Sequence, residues 1–183
     1  MTRAQILSVP FAAMLLAGAC GTKPPPTVVM GEHVQVGSLQ FNVLDAEWLA
    51  DLPGEMSPRL PKNRFLVLRV SASNQGTREL HVPLLRLENV NGETFAEVED
   101  ATGLDDWWGL IRPVSPGATD SRRILFDVAP AEYKLHLSDG GDPEREQTAI
   151  VTIPYRIKRN DPLALPEPEQ GPRIDPDKGP QLN

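Results

Sequence analysis

From Asn63 to Asn74 the apolar side chains recur at every second residue. Leu66, Leu68, Val70 and Ala72 fall on one face. Phe65 and Val67 begin the other face, which turns polar at Arg69, Ser71 and Ser73. A period of two is the signature of a β-strand. A strand that is apolar on both faces at one end must be covered on both sides, which predicts a central place in a β-sandwich. From Val28 to Tyr155 no long run of helical periodicity competes with this pattern, so the expected fold is all-β.

Turn residues cut the remaining pattern at short intervals. Val34 and Val36 precede Gly37-Ser38, a two-residue turn, and Leu39, Phe41 and Val43 continue beyond it. The apolar set then shifts to Leu44, Ala46 and Trp48, a change of face without a turn that predicts a bulge or a crossing between sheets. Leu49 to Lys62 carries three prolines and reads as a loop. Leu80 to Val82 is a short edge piece stopped by Pro83. Leu84–Val90 and Glu93–Val98 flank Asn91-Gly92, a strong hairpin signal. Glu99 to Val114 is irregular. Ser115-Pro116-Gly117 leads into Thr119–Val128, and alternation resumes at Tyr133, Leu135 and Leu137 and again at Ala149, Val151, Ile153 and Tyr155. These segments predict about eight or nine antiparallel strands, hence a sandwich. Alternation does not set strand order, so an up-and-down barrel is the alternative.

The two ends have a different character. Arg3, an apolar run from Ile6 to Leu16 and small residues after it form a secretory signal over residues 1–19. The run is about half the roughly 20 residues that a membrane span needs, and Pro10 interrupts it. Leu16-Ala17-Gly18-Ala19-Cys20-Gly21 resembles a bacterial lipobox, with Ala17 where Leu is usual. The resemblance implies cleavage before Cys20 and acylation of its thiol, so the covalent lipid is the only non-protein group expected. Cys20 is the sole cysteine, so no disulfide within the chain supports the fold. Cleavage leaves 164 of the 183 residues and, with Arg3 removed, moves the formal charge from −7 to −8. Such an acidic chain offers no footprint for nucleic acid. Residues 20–27 contain Pro24-Pro25-Pro26 and read as a tether lifting the domain roughly 20–30 Å from the membrane. Residues 158–183, with six prolines and no apolar face, read as a disordered tail. The folded domain is therefore expected over 28–157.

The order of these elements also carries a family resemblance. Phe65-Leu66-Val67-Leu68-Arg69-Val70 ending in Asn74 is followed by Asn91-Gly92, by Pro116-Gly117, and by Ile124-Leu125-Phe126-Asp127-Val128-Ala129-Pro130. This resembles the telokin-like, immunoglobulin-like domains of bacterial lipoproteins and secreted antigens, a family largely of unknown function. The resemblance implies an immunoglobulin-like sandwich and transfers no catalytic residues. Ala131-Glu132-Tyr133-Lys134-Leu135 resembles the tyrosine corner of such sandwiches, with an ordinary core tyrosine as the other reading. Gly21 after the cysteine resembles lipoproteins sorted to an outer membrane, which favours that membrane where the bacterial envelope has one.

Few residues point to chemistry. His33, His81 and His136 lack ligand-spaced partners, and Met30 and Met56 form no copper-type cluster. No nucleophile elbow or phosphate loop is present. Glu97, Glu99, Asp100, Asp105 and Asp106 form an acidic stretch without EF-hand spacing, a calcium-type candidate set against a solvated loop. Trp107-Trp108 are adjacent, so on an extended chain they face opposite ways. Either one is exposed as a contact residue, or both cover an open end of the sandwich. The expected function is a non-catalytic, lipid-anchored envelope module that meets another envelope protein or a surface polymer through a sheet edge or end loop. The alternative is a metal-dependent binder or envelope enzyme using the acidic loop 97–106.

Overall fold

Eleven strands follow one another among the described residues: β1 (Thr27–Val29), β2 (His33–Val36), β3 (Leu39–Leu49), β4 (Arg64–Asn74), β5 (Leu80–His81), β6 (Arg86–Glu88), β7 (Thr94–Ala96), β8 (Pro113–Val114), β9 (Thr119–Val128), β10 (Tyr133–Ser138) and β11 (Thr148–Ile153). The computed structural model describes residues 24–155 except Pro143, so the signal segment, Cys20 and the 158–183 tail lie outside the described residues. The fold is an all-β, immunoglobulin-like sandwich. One sheet runs β2-β3-β4-β9, the facing sheet runs β1-β11-β10-β6-β7, and β5-β8 form a small third ladder. The strand number exceeds the expected eight or nine because β1 and β8 are pieces of three and two residues, too short to show alternation. The pairing is antiparallel as expected except at β1, which joins β11 in parallel.

β4 lies between β3 and β9, the central place that its two apolar faces require. Its inner face, Leu66, Leu68, Val70 and Ala72, packs in the main core with Phe41, Val43, Ile124 and Phe126, against Leu87, Leu135, Leu137 and Val151 of the facing sheet. Its other face, Phe65 and Val67, joins Leu125 in a second core that Leu52, Ala101 and Leu104 cover from the loops. The face change in β3 is a bulge between Val43 and Asp45. Leu44 absorbs the extra residue and is exposed, while Ala46 and Trp48 pack against the same main core as Val43. The shift in pattern thus keeps one face inward rather than switching faces, because one extra residue inverts the alternation.

The Asn91-Gly92 hairpin closes through Asn89 and Glu93. The Asn89 carbonyl accepts from the Gly92 amide at 3.0 Å, and the Asn89 side chain accepts from the Asn91 and Glu93 amides at 2.9 and 3.0 Å. Gly92, at φ 81°, occupies the left-handed position that a three-residue hairpin loop demands. Aromatic rings cover the end of the sandwich where β10 begins: Phe95 meets Tyr133 at 5.8 Å, and Trp48 meets Tyr133 at 6.5 Å and Tyr155 at 5.9 Å. The Tyr133 hydroxyl donates to the Ala129 carbonyl at 2.7 Å, completing the tyrosine corner, and burial pushes that hydroxyl's pKa up.

The tether boundary moves inward. Thr27 is already in β1, and the Pro26 carbonyl accepts from the Ile150 amide at 2.9 Å. Pro24, Pro25 and Pro26 line a cleft of about 370 Å³ with Gln35, Gln147 and Thr148. The triple proline therefore lies against the domain instead of forming a free spacer of the expected length. The physical reason is the open edge of β11, whose unpaired backbone groups take up the arriving chain.

Candidate interaction surface

Between β7 and β8 the chain leaves the facing sheet, crosses the edge of β9 and returns beside β5. Two charged residues at the ends of this excursion anchor it. Glu97 and Arg112 have side chains 1% and 0% exposed, and the guanidinium meets the carboxylate at two points, 2.9 and 2.5 Å. Backbone groups add further contacts. The Glu97 carboxylate also accepts from the Leu85 amide at 2.6 Å, and Arg112 donates to the Gly109 carbonyl at 2.7 Å and the Pro83 carbonyl at 3.4 Å. The guanidinium lies 5.4 Å from the centre of the Trp108 ring. A buried charge is tolerable only when paired and hydrogen-bonded in this way. The pair ties residues 83–85, 97 and 109–112 into one unit.

Trp107 and Trp108 face opposite ways, toward different cores. Trp108 packs in the main core, and Trp107 is half-buried against the second core. Their backbone docks on the exposed edge of β9. The Trp108 amide donates to the Arg123 carbonyl at 2.9 Å, and the Arg123 amide donates to the Asp106 carbonyl at 2.9 Å. The Val98 amide adds a bond to Leu125 at 2.8 Å, so this loop blunts the edge of the sheet. The side chains left outside are Leu110 and Ile111, 50% and 79% exposed, with Leu84 at 43%. Val82 bonds to the Arg112 carbonyl at 3.0 Å, which brings the Pro83–Leu84 segment alongside 110–112. The sequence reading missed this pair of exposed residues. Its only signal was an apolar dipeptide next to an arginine in an irregular stretch.

The acidic stretch does not converge. Glu97 is consumed by Arg112, while Glu99 and Asp105 stand exposed, with no ion pair among the described residues. Asp106 reaches Arg122 at 3.9 Å and Arg69 at 4.0 Å. Asp100 accepts from the Thr102 hydroxyl and amide at 2.7 and 2.9 Å, and these bonds, with the Arg59 charge, hold its carboxyl below the usual range despite partial desolvation. Among the described residues no group of three His, Cys, Asp or Glu side chains is placed to hold a metal ion. The carboxylates that have partners are spent singly, Glu97 on Arg112, Asp100 on Thr102 and Arg59, and Asp106 on Arg122 and Arg69, so they do not converge as the calcium-type candidate set against a solvated loop would require. The loop acts as a cover, and Gly103 shows how closely it fits. Gly103 adopts φ +92°, and a Cβ there would stand 1.9 Å from the Pro53 carbonyl oxygen.

The histidines are scattered. His33 lies 3.4 Å from the Asn42 side chain and His81 lies 3.8 Å from Glu79. His136 sits 2.8 Å from Glu88, which also draws Lys134 at 3.4 Å. Desolvation raises the Glu88 pKa, but the hydrogen bonds and charges of His136 and Lys134 more than reverse this and leave it lowered. Above this group, Pro83, Leu84, Arg86, His136, Ser138 and Thr148 line a shallow groove of about 340 Å³ on the outer face of the five-stranded sheet.

The fold and its loops define a β-sandwich with a braced side loop. No protein-family model matches the chain, and no curated protein matches it. Solved structures do resemble it. The yjhA protein of Bacillus subtilis superposes with a TM-score of 0.55 at 12% identity, over 68% of this chain and 97% of that one. The secreted protein MPT63 of Mycobacterium tuberculosis gives 0.53 at 16%, over 72% and 100%. A candidate lipoprotein of Bacillus subtilis, ycdA, gives 0.53 at 15%, over 69% of this chain and 39% of that one. At such identities the likeness is one of fold, which meets the expectation of the telokin-like resemblance at the level of a sandwich and no further.

Proposed function

We propose that the chain is a non-catalytic, lipid-anchored module of the bacterial cell envelope, held through Cys20 and binding another envelope protein by the Leu110–Ile111 loop. The observation that carries the binding reading is mechanical. Two exposed apolar side chains stand on backbone that a buried ion pair and a buried tryptophan hold in place. Apolar groups on a rigid mount lose little freedom on binding, which favours recognition. The anchor reading rests on Leu16-Ala17-Gly18-Ala19-Cys20, and a candidate lipoprotein and a secreted protein among the structures of like fold support export. The outer membrane is the favoured site in an envelope that has one.

A photo-crosslinking side chain at Ile111, used in intact envelopes, tests the binding reading. A discrete crosslinked protein that Leu110→Asp abolishes is the expected result. An unchanged crosslinking pattern in that variant removes Leu110–Ile111 from the interface. Cys20→Ala tests the anchor: the variant should leave the membrane fraction, and normal fractionation refutes acylation there.

A further inference from the structure

The parallel pairing of β1 with β11 gives the domain a direction. The chain arrives beside Ile150 at Pro26, near the start of β11, and β1 then runs alongside that strand to its far end. The turns near the arriving chain are tied to one another. The Gly37 amide donates to the Gln147 side chain at 3.2 Å, the Gln75 amide to the Ser38 carbonyl at 2.8 Å, and the Gly117 amide to the Asn74 carbonyl at 2.9 Å. None of the exposed large apolar residues found among the described ones falls on these turns, whereas Val29, Val90 and Tyr155 stand at the opposite end. The eleven residues of β4 place the two ends roughly 33 Å apart.

Resting on the reading of Cys20 as the lipid anchor, the leash is short. Three residues, hence four residue-to-residue steps, separate Cys20 from Pro24, at most about 14 Å of extended chain. Pro24, Pro25 and Pro26 have restricted φ angles and lead straight into β1, so the leash continues the strand axis. We propose that the domain stands upright on the membrane, with its polar Gly37–Ser38, Gln75–Gly76 and Asp139–Gln147 turns facing the lipid headgroups. The end with Val90 and Tyr155 points away. The acidic turn residues Asp139, Asp142, Glu144 and Glu146 are hydrated at this surface rather than inserted.

Energy transfer to vesicles tests this. The acylated full-length chain is reconstituted in phosphatidylcholine vesicles with acceptor-labelled headgroups, carrying a donor at Ser38→Cys or at Val90→Cys. Both positions are exposed, and the acylated Cys20 thiol does not react with the label. Transfer several-fold stronger from Ser38 than from Val90 is expected. Equal transfer, or stronger transfer from Val90, overturns the upright orientation while leaving the anchor intact. Failure of the unlabelled chain to float with the vesicles refutes the anchor itself, and the orientation with it. Matched thermal melts of the two labelled variants establish that neither label has disturbed the fold.

Discussion

Arg112 and Glu97 lie fifteen residues apart in sequence and meet with both side chains almost wholly out of water, joined at two points. Between them runs the loop that covers the second core, caps the edge of β9 and holds out Leu110 and Ile111. Removing one partner leaves the other charge buried and unpaired. Arg112→Met and Glu97→Leu should each cost about 3–5 kcal/mol of stability. The double variant Arg112→Met/Glu97→Leu should lose clearly less than the sum of the single changes. Urea unfolding of the three proteins completes the cycle. Single costs under about 1 kcal/mol are incompatible with the pair as the clasp of this loop.

The two tryptophans should separate. Trp108→Ala opens the main core and should cost about 3–5 kcal/mol. Trp107→Ala uncovers only the half-buried second core and should cost about 1–3 kcal/mol. Ile111→Asp should stay within about 0.5 kcal/mol of the parent, because nothing packs over it. Thermal melts of the three variants rank them, and an equal loss at Ile111 and Trp108 contradicts the placement of the loop.

Gly103 is where the two covering loops touch. Gly103→Ala combines a left-handed backbone with a collision against the Pro53 carbonyl, and should cost about 1–3 kcal/mol. Gly92→Ala shares the backbone conformation but meets no atom within 4 Å, so its cost should be about 1 kcal/mol. Amide exchange should quicken at Leu52 and Leu104 in the first variant and stay unchanged there in the second.

The Glu88 carboxyl has a lowered pKa in the folded state, so between its folded and unfolded values the unfolded chain binds more protons and stability rises with pH. The contribution of the Glu88 contacts with His136 and Lys134 is therefore complete above the ordinary value of 4.5 and is lost as pH falls through the lowered one. Glu88→Gln should be less stable than the parent at pH 6 and approach it toward about pH 3. Denaturation midpoints of both proteins across that range decide it. A constant difference assigns the effect to shape rather than charge.

Strand patterns were legible where a strand is long enough to repeat its alternation. Arg64–Asn74, Thr119–Val128 and Tyr133–Ser138 are read correctly, and so is the tyrosine corner, whose bond spans only four residues. Tether pairing was not legible, because three residues of β1 contain too little pattern to announce a partner more than 120 residues away. The partners of the acidic stretch were hidden for a related reason. Local spacing cannot reveal that Glu97 belongs to Arg112, or Asp100 to Thr102 and Arg59.

By itself, the sequence of alternating residues and turn signals determined an all-β domain with β4 at its centre, since a period of two and two-sided burial leave no other place for it. Tertiary structure alone decided what the loop between β7 and β8 is for. Burial turned its charges into a brace and its tryptophans into core. Of its large apolar side chains only Leu110 and Ile111 were left facing water, because pairing a buried charge and filling a cavity depend on which segments meet rather than on which residues are adjacent.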